Sequence, residues 1–293
     1  MNSRTILVTG STGGIGRQVA ATLAGQGARV LLTGRDRERG ERAAGEIRRE
    51  TGNKEVEAFA ADVTRQQDLR ALAAAVGTLH GLVNNAGVNP PGRVLTGDGI
   101  ESAFAGNVLA PYLLTRLLLP SLGMGARESG RPSRVVNIAG GIPRGPIDPA
   151  NLQAEKSFAG WVTDTQYNRS KLAMMAMTRT FAERFGGPEL RIVAAYPGHA
   201  DTPMNRSLPI ATYPRLMRPI VPLLRPLMPL LWGDLDGPAR NAVRLMSSEE
   251  EPVNGTYVDI KGRMATWPPS TGITSVRTAV WEMCERLAPM DRH

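Results

Sequence analysis

Short apolar runs recur along the chain, separated by stretches with helical spacing. Ile6-Leu7-Val8 leads into a glycine-rich turn and a helix-like stretch, and Val30-Leu31-Leu32 repeats the strand pattern before a second helix that reaches Glu50. Further runs at Val56–Ala60, Leu82-Val83, Arg134–Ile138, Arg191–Ala195 and Thr256–Ile260 bring the expected strands to about seven. Between them, Gln67–Val76, Ile100–Leu119, Tyr167–Phe185 and Gly237–Met246 each carry an apolar face. Strands alternating with helices predict parallel pairing through helical crossovers. The expected fold is therefore α/β, a doubly wound parallel sheet in a single domain over 1–293.

Two segments depart from this rhythm. Residues 203–234 are very apolar, above all from Leu208 to Trp232, but prolines at 209, 214, 219, 222, 226 and 229 interrupt them. Arg215, Arg218 and Arg225 lie in the same stretch, so a membrane-spanning helix is not expected and an irregular apolar lid is. Within 270–293, Val276, Val280, Met283 and Leu287 fall at helical spacing and predict a C-terminal helical extension packed on the body.

Composition narrows the class. Hydrophobic residues at 42% and charged residues at 21% suit a folded enzyme and exclude a disordered chain. The net charge of +8 is spread without a long basic run, so nucleic acid is not an expected partner and an anionic cofactor is the better fit. Cys284 is the only cysteine, so no intrachain disulfide can form, and with no export segment before Thr5 the expected location is cytoplasmic. His80 and His293 have no partner pattern, and no cluster has metal-ligand spacing.

The turn Thr9-Gly10-Ser11-Thr12-Gly13-Gly14-Ile15-Gly16 follows a strand and opens a helix, the context that gives a glycine pattern meaning. Gly10 permits the tight turn, Gly14 lets the backbone approach a pyrophosphate, and Gly16 allows close helix packing, as in a Rossmann-like fold. The helix N-terminus adds free N–H groups and a favourable dipole. At the end of the second strand stands Arg35, where an NAD enzyme commonly has an acid. Its fork can meet a 2′-phosphate and so favours NADP(H), although Asp36 beside it could serve a ribose and Arg35 could be solvated among Arg37, Arg39 and Arg42.

Tyr167 and Lys171 are four residues apart on an expected helix and share a face. A phenol is a poor base at neutral pH unless a fixed ammonium favours phenolate, and such a pair can move a proton to or from a carbinol oxygen.

Together with Asp62-Val63, Asn84-Asn85-Ala86-Gly87, Asn107, Tyr167-Asn168-Arg169-Ser170-Lys171 and Pro197-Gly198 with Thr202, these motifs occur in the order of the short-chain dehydrogenase/reductase family. The chain resembles its retinol-dehydrogenase-like members most closely at Leu152–Lys156, Tyr167–Arg184 and Trp281–Leu287. The resemblance implies that Asp62 meets the adenine amine, that Asn85 and its neighbours flank the adenosine ribose, and that Thr202 holds the nicotinamide carboxamide. It further implies that Asn107 bends its helix and holds a relay water beyond Lys171. A homodimer through the Asn107 and Tyr167 helices is implied as well, with Met174, Met175 and Met177 in the core or at the subunit contact.

One family residue is missing. The strand ending at Ile138 should lead into a serine pair, but the chain reads Ala139-Gly140-Gly141, and loss of such a donor typically costs about 100- to 1000-fold in rate. The Gly140 or Gly141 N–H, a water, a substrate hydroxyl, Ser157 or Thr163 could replace it, and His199 could face the nicotinamide or the substrate. The expected activity is NADP(H)-dependent interconversion of a lipophilic or polycyclic alcohol and carbonyl. A non-redox cyclase, dehydratase or isomerase on the same scaffold, a silent NADP-binding protein, and a lid that touches a membrane surface are the alternatives.

Overall fold

The computed structural model describes residues 1, 4–141, 144–160, 164–198, 202, 206, 208–225, 235–250 and 252–290. The apolar runs become β1 (Thr5–Val8), β2 (Arg29–Gly34), β3 (Val56–Ala60), β4 (Gly81–Asn84), β5 (Ser133–Ile138), β6 (Leu190–Ala195) and β7 (Tyr257–Val258). They form one parallel seven-stranded sheet in the order β3-β2-β1-β4-β5-β6-β7. Both faces are covered, which is why the central strands read as unbroken Ile, Leu and Val rather than as alternating patterns. The last strand is shorter than expected. The Asp259 carboxylate accepts the Lys261 and Arg263 N–H groups and folds the chain into a turn just after Val258.

Helices α1 (Gly14–Gly25) and α2 (Arg37–Thr51) pack on one face of the sheet, and α3 (Gln66–Ala75) on the other. The helix expected over Ile100–Leu119 starts as α4 (Ser102–Phe104), passes through a π-helical turn at Ala105–Leu109 and continues as α5 (Ala110–Ser129). Pro120 sits inside α5 without ending it, because Leu118 and Leu122 on either side are fully buried and hold the helix on the sheet. Among the described residues, Ser102–Ser129 is the one helix long and apolar enough to cross a membrane, but 67% of its 18-residue apolar window is buried in this fold, as in an interior helix. The remaining helices are α6 (Gln166–Phe185), α7 (Val221–Leu224), α8 (Asp236–Ser247) and α9 (Thr274–Leu287).

The C-terminal helix α9 packs on the body, as its apolar spacing predicts. Trp281 is 2% exposed and lies against Tyr112, Phe181 and Phe185 at ring distances of 5.2, 5.0 and 6.1 Å. The Arg184 guanidinium covers the indole at 4.4 Å. Helix α9 thus covers Phe181 and Phe185 of α6 and Tyr112 of α5. Met174, Met175 and Met177 are buried in the core beneath it rather than held out for a partner.

Candidate active site

At the carboxyl ends of the strands, beyond the neighbouring β1 and β4, opens a cleft of about 1180 Å³. That exceeds the roughly 300–1,000 Å³ of a single-ligand pocket, so it has room for a dinucleotide and a second molecule. Its walls bring together residues from the whole length of the chain: Gly10, Thr12, Gly14 and Ile15 with Arg35, Asp62 and Val63, then Asn85, Ala86 and Gly87. Gly140, Gly141, Tyr167, Lys171, Pro197, Gly198 and Thr202 close the other end.

The turn after β1 is fixed by bonds that the sequence does not display. Gly10 has φ +63°, and a Cβ there would meet Ala86 Cα at 2.8 Å, so this position requires glycine on both counts. Thr9 Oγ1 accepts the Asn85 and Ala86 N–H groups, each at 3.0 Å, and ties the turn after β1 to the turn after β4. Ser11, expected on the cofactor, does not line the cleft. Its fully buried hydroxyl donates to the Val8 carbonyl at 2.7 Å and accepts the Thr33 N–H at 3.0 Å, so it splices the turn to β2. Gly16 also lies behind the cleft, against the Gly10 carbonyl, in the packing role expected of it. The Asn85 amide nitrogen donates to the Thr9 and Gly10 carbonyls at 2.9 and 3.1 Å, so it braces the turn from the cleft wall.

Beyond β2 the cleft is basic. Asp36, weighed as a ribose ligand, lines the cleft and with one carboxylate oxygen caps α2 by accepting the Arg39 N–H at 2.9 Å. Arg35 and Arg39 both line this corner, and the Arg39 guanidinium lies 3.2 Å from where a Gly13 side chain would begin. Arg39 was missed as a site residue because it stands among four arginines within eight residues; only the helical turn that begins at Asp36 separates it from the solvated ones. Asp62 lines the cleft, and one of its carboxylate oxygens accepts the Thr64 N–H and hydroxyl, at 2.9 and 2.8 Å, which makes it a turn acid as well.

At the opposite end α6 presents Tyr167 and Lys171 to the cleft. Thr165 caps this helix by accepting the Asn168 N–H, and Arg169 anchors the preceding insertion through the Ser157 and Phe158 carbonyls and Asp164. Lys171 is 4% exposed and donates to the Ile138 carbonyl at 3.1 Å, and burial lowers its pKa to about 8. Burial, with Tyr196 nearby, pushes the Tyr167 phenol up to about 12. Both groups are therefore held toward their neutral forms by desolvation in the protein alone.

Asn107 sits in the π-helical turn, 1% exposed and outside the cleft. Its amide accepts the Val88 N–H at 2.8 Å and donates to the Val88 carbonyl at 2.9 Å and to Ser170 Oγ at 2.8 Å. The side chain is a clamp between the segment after β4 and the Tyr167 helix, with both amide hydrogens committed to protein partners. Ser157 does not fold back to the missing serine's place: it is exposed and bonded to Asn151 and Arg169. Thr163, His199 and His293 lie outside the described residues, as do Met228, Leu230 and Trp232 of the lid. His80 is structural, with Nδ1 accepting the Thr5 N–H at 3.0 Å.

The mouth is apolar. Val94 and Leu95 line one side, about half exposed, and Leu208, Tyr213 and Pro214 of the expected lid line the other. The described part of that lid is a 3-10 turn at Ile210–Thr212 followed by α7, with Leu216, Ile220 and Leu223 turned outward.

Glycines that clear the space and the N-terminus of α1 fit a dinucleotide along this cleft. Comparison with known proteins agrees. A family model described as short chain dehydrogenase matches residues 4–148. The chain is 35% identical over 295 residues to dehydrogenase/reductase SDR family member 13 of Bos taurus, covering 98% of this chain and 74% of that protein. It is 32% identical over 308 residues to retinol dehydrogenase 14 of Homo sapiens, with coverages of 97% and 86%. The solved Pseudomonas aeruginosa RhlG/NADP active-site complex superposes with a TM-score of 0.64 at 28% identity, covering 89% of this chain and 96% of that one.

Proposed function

The chain belongs to the short-chain dehydrogenase/reductase family, and from that premise we propose that it is an NADP(H)-dependent oxidoreductase interconverting a lipophilic alcohol and its carbonyl compound. The observation that carries the reading is one continuous cleft with Arg35 and Arg39 at one end and Tyr167 and Lys171 at the other. The N–H groups at Gly13 to Ile15 would hold the pyrophosphate, and the two guanidinium groups would hold a 2′-phosphate, which favours NADP(H) over NAD(H). Thr202 and the Pro197-Gly198 turn would receive the nicotinamide end, and a nicotinamide nucleotide in such a cleft is in keeping with the NADP complex of RhlG.

When bound, the reduced cofactor supplies hydride to the carbonyl carbon. The chain's own part is the proton. The Tyr167 hydroxyl gives it to the carbonyl oxygen, and the Lys171 ammonium stabilises the phenolate left behind. A phenol pushed up to about 12 is reliably protonated at neutral pH, so the protein is prepared for reduction, whereas oxidation needs phenolate first. Val94, Leu95, Leu208 and Pro214 would select an apolar substrate, since none offers a side-chain hydrogen bond to a polyol.

The test is to follow NADPH absorbance with a panel of apolar ketones and aldehydes. Stoichiometric oxidation is expected, falling about 100- to 10,000-fold in Tyr167→Phe, in line with loss of a general acid. Product formation without cofactor consumption would contradict the reading.

A further inference from the structure

Gly140 and Gly141 stand where the family carries its serine, and the packing explains why no side chain is present. A Cβ on Gly140 would lie 2.9 Å from the Tyr167 hydroxyl and 3.4 Å from Lys171 Cε. Gly141 has φ +66°, and a Cβ there would meet Asn168 Oδ1 at 2.5 Å. A serine at Gly140 would therefore press on the Tyr167 hydroxyl, and one at Gly141 would be strained as well as crowded by Asn168.

The segment is held from several sides. Ala139 N–H donates to the Ala195 carbonyl at 2.9 Å, Lys171 to the Ile138 carbonyl at 3.1 Å, and the Tyr196 hydroxyl to the Gly141 carbonyl at 3.1 Å. Asn168 Nδ2 bonds the Arg144 carbonyl at 3.0 Å just beyond. Within this frame both glycines line the cleft beside Tyr167, and among the described residues neither glycine N–H has a hydrogen-bond acceptor. Backbone donors in a sheltered site are costly to leave unpaired, and consecutive ones in a turn form a concavity suited to an oxygen with negative charge.

We propose that the Gly140 and Gly141 N–H groups bind the substrate's oxygen in place of the serine, and that Tyr196 is a positioning residue that fixes them through the Gly141 carbonyl. The proposal rests on the oxidoreductase reading for its reaction but not for its ligand chemistry, which is any uncharged or anionic carbonyl oxygen at the cleft's Tyr167 end. In reduction the oxygen gains electron density as hydride arrives at carbon. Two fixed donors then strengthen their bonds at the moment Tyr167 gives up its proton.

Protein labelled with [15N]glycine, saturated with NADP+ and titrated with decanamide, a non-reducible carbonyl, tests this directly. The two resonances are assigned by their disappearance in Gly140→Ala and Gly141→Ala. Their amide protons should move downfield on saturation, and amides that stay in place at saturating decanamide overturn the proposal. Tyr196→Phe should lower kcat at least about tenfold, as displaced catalytic groups do, with KM for NADPH and the unfolding temperature unchanged. Equal kcat in that variant removes Tyr196 from the assignment. Gly140→Ser restores the family's hydroxyl but should lower kcat by crowding Tyr167; a higher kcat would show that the backbone had not taken over. Amide shifts in a protein that reduces no carbonyl would refute the oxidoreductase reading and keep the donor assignment. NADPH oxidation without amide shifts would do the reverse.

Discussion

Lys171 shows the tension between stability and chemistry at the scale of one residue. Its pKa falls from 10.5 in an exposed chain to about 8 in the fold, so the folded state disfavours the charged form. Because the folded value is depressed, the penalty is absent above pH 10.5, grows as pH falls toward 8 and is complete below that. A shift of this size corresponds to on the order of 3 kcal/mol at pH 7. Lys171→Met is therefore expected to raise the unfolding free energy at neutral pH, with the gain shrinking as pH approaches 10.5, while abolishing turnover. Denaturant unfolding at several pH values checks it. In the wild type, kcat/KM for reduction should fall as pH rises through about 8, where Lys171 loses the charge that supports the phenolate. The Tyr167–Lys171 pair was legible in the sequence because a spacing of four on a helix fixes a shared face. Ser11, Asn85 and Asn107 were not, because polar side chains take whatever partner the fold brings, and their partners at Thr33, Gly10 and Val88 are distant or set by turn geometry.

At the scale of elements, a buried polar chain joins the sheet to the two central helices. Asn84 and Asn137 are register partners on β4 and β5; Asn84 Nδ2 donates to Asn137 Oδ1 at 2.8 Å and to Thr115 of α5 at 3.3 Å. Asn137 Nδ2 in turn donates to Thr178 of α6 at 2.8 Å. Removing one member strands the others in an apolar interior, which costs about 1–3 kcal/mol for each unpaired group. Asn137→Leu should therefore destabilise more than the double change Asn84→Leu with Asn137→Leu, as judged by the midpoint of chemical unfolding; the reverse order would show that the chain carries no coupling. The strands themselves were read to within two residues at most ends, since β-branched and leucine runs between turn signals leave few choices. The long helix was not: its apolar periodicity continues through both the π-helical turn and Pro120, and only packing decides where such a helix bends or stops.

At the scale of the whole molecule, α9 connects the chain's end to the helices that frame the catalytic wall. Trp281 fills the space among Tyr112, Phe181 and Phe185, and truncation of a buried aromatic to alanine costs about 3–5 kcal/mol. Trp281→Ala is expected to lower the unfolding midpoint by that measure. An unchanged midpoint would mean that α9 is only loosely docked. The sequence announced the amphipathic terminal helix, but which face of the body it would cover depended on long-range packing that periodicity does not encode.

The cleft joins these scales, since the turn after β1, the basic corner of α2 and the Tyr167 wall of α6 have a common purpose only if a phosphorylated dinucleotide lies between them. Calorimetric titration of the wild type and of the Arg35→Ser, Arg39→Ser double variant with NADPH and NADH tests this most directly. The expected result is saturable binding of NADPH to the wild type, weakened about 10- to 100-fold in the double variant by loss of charge-assisted bonds while NADH affinity stays the same. Absence of binding by either nucleotide to the wild type would contradict the account at its foundation.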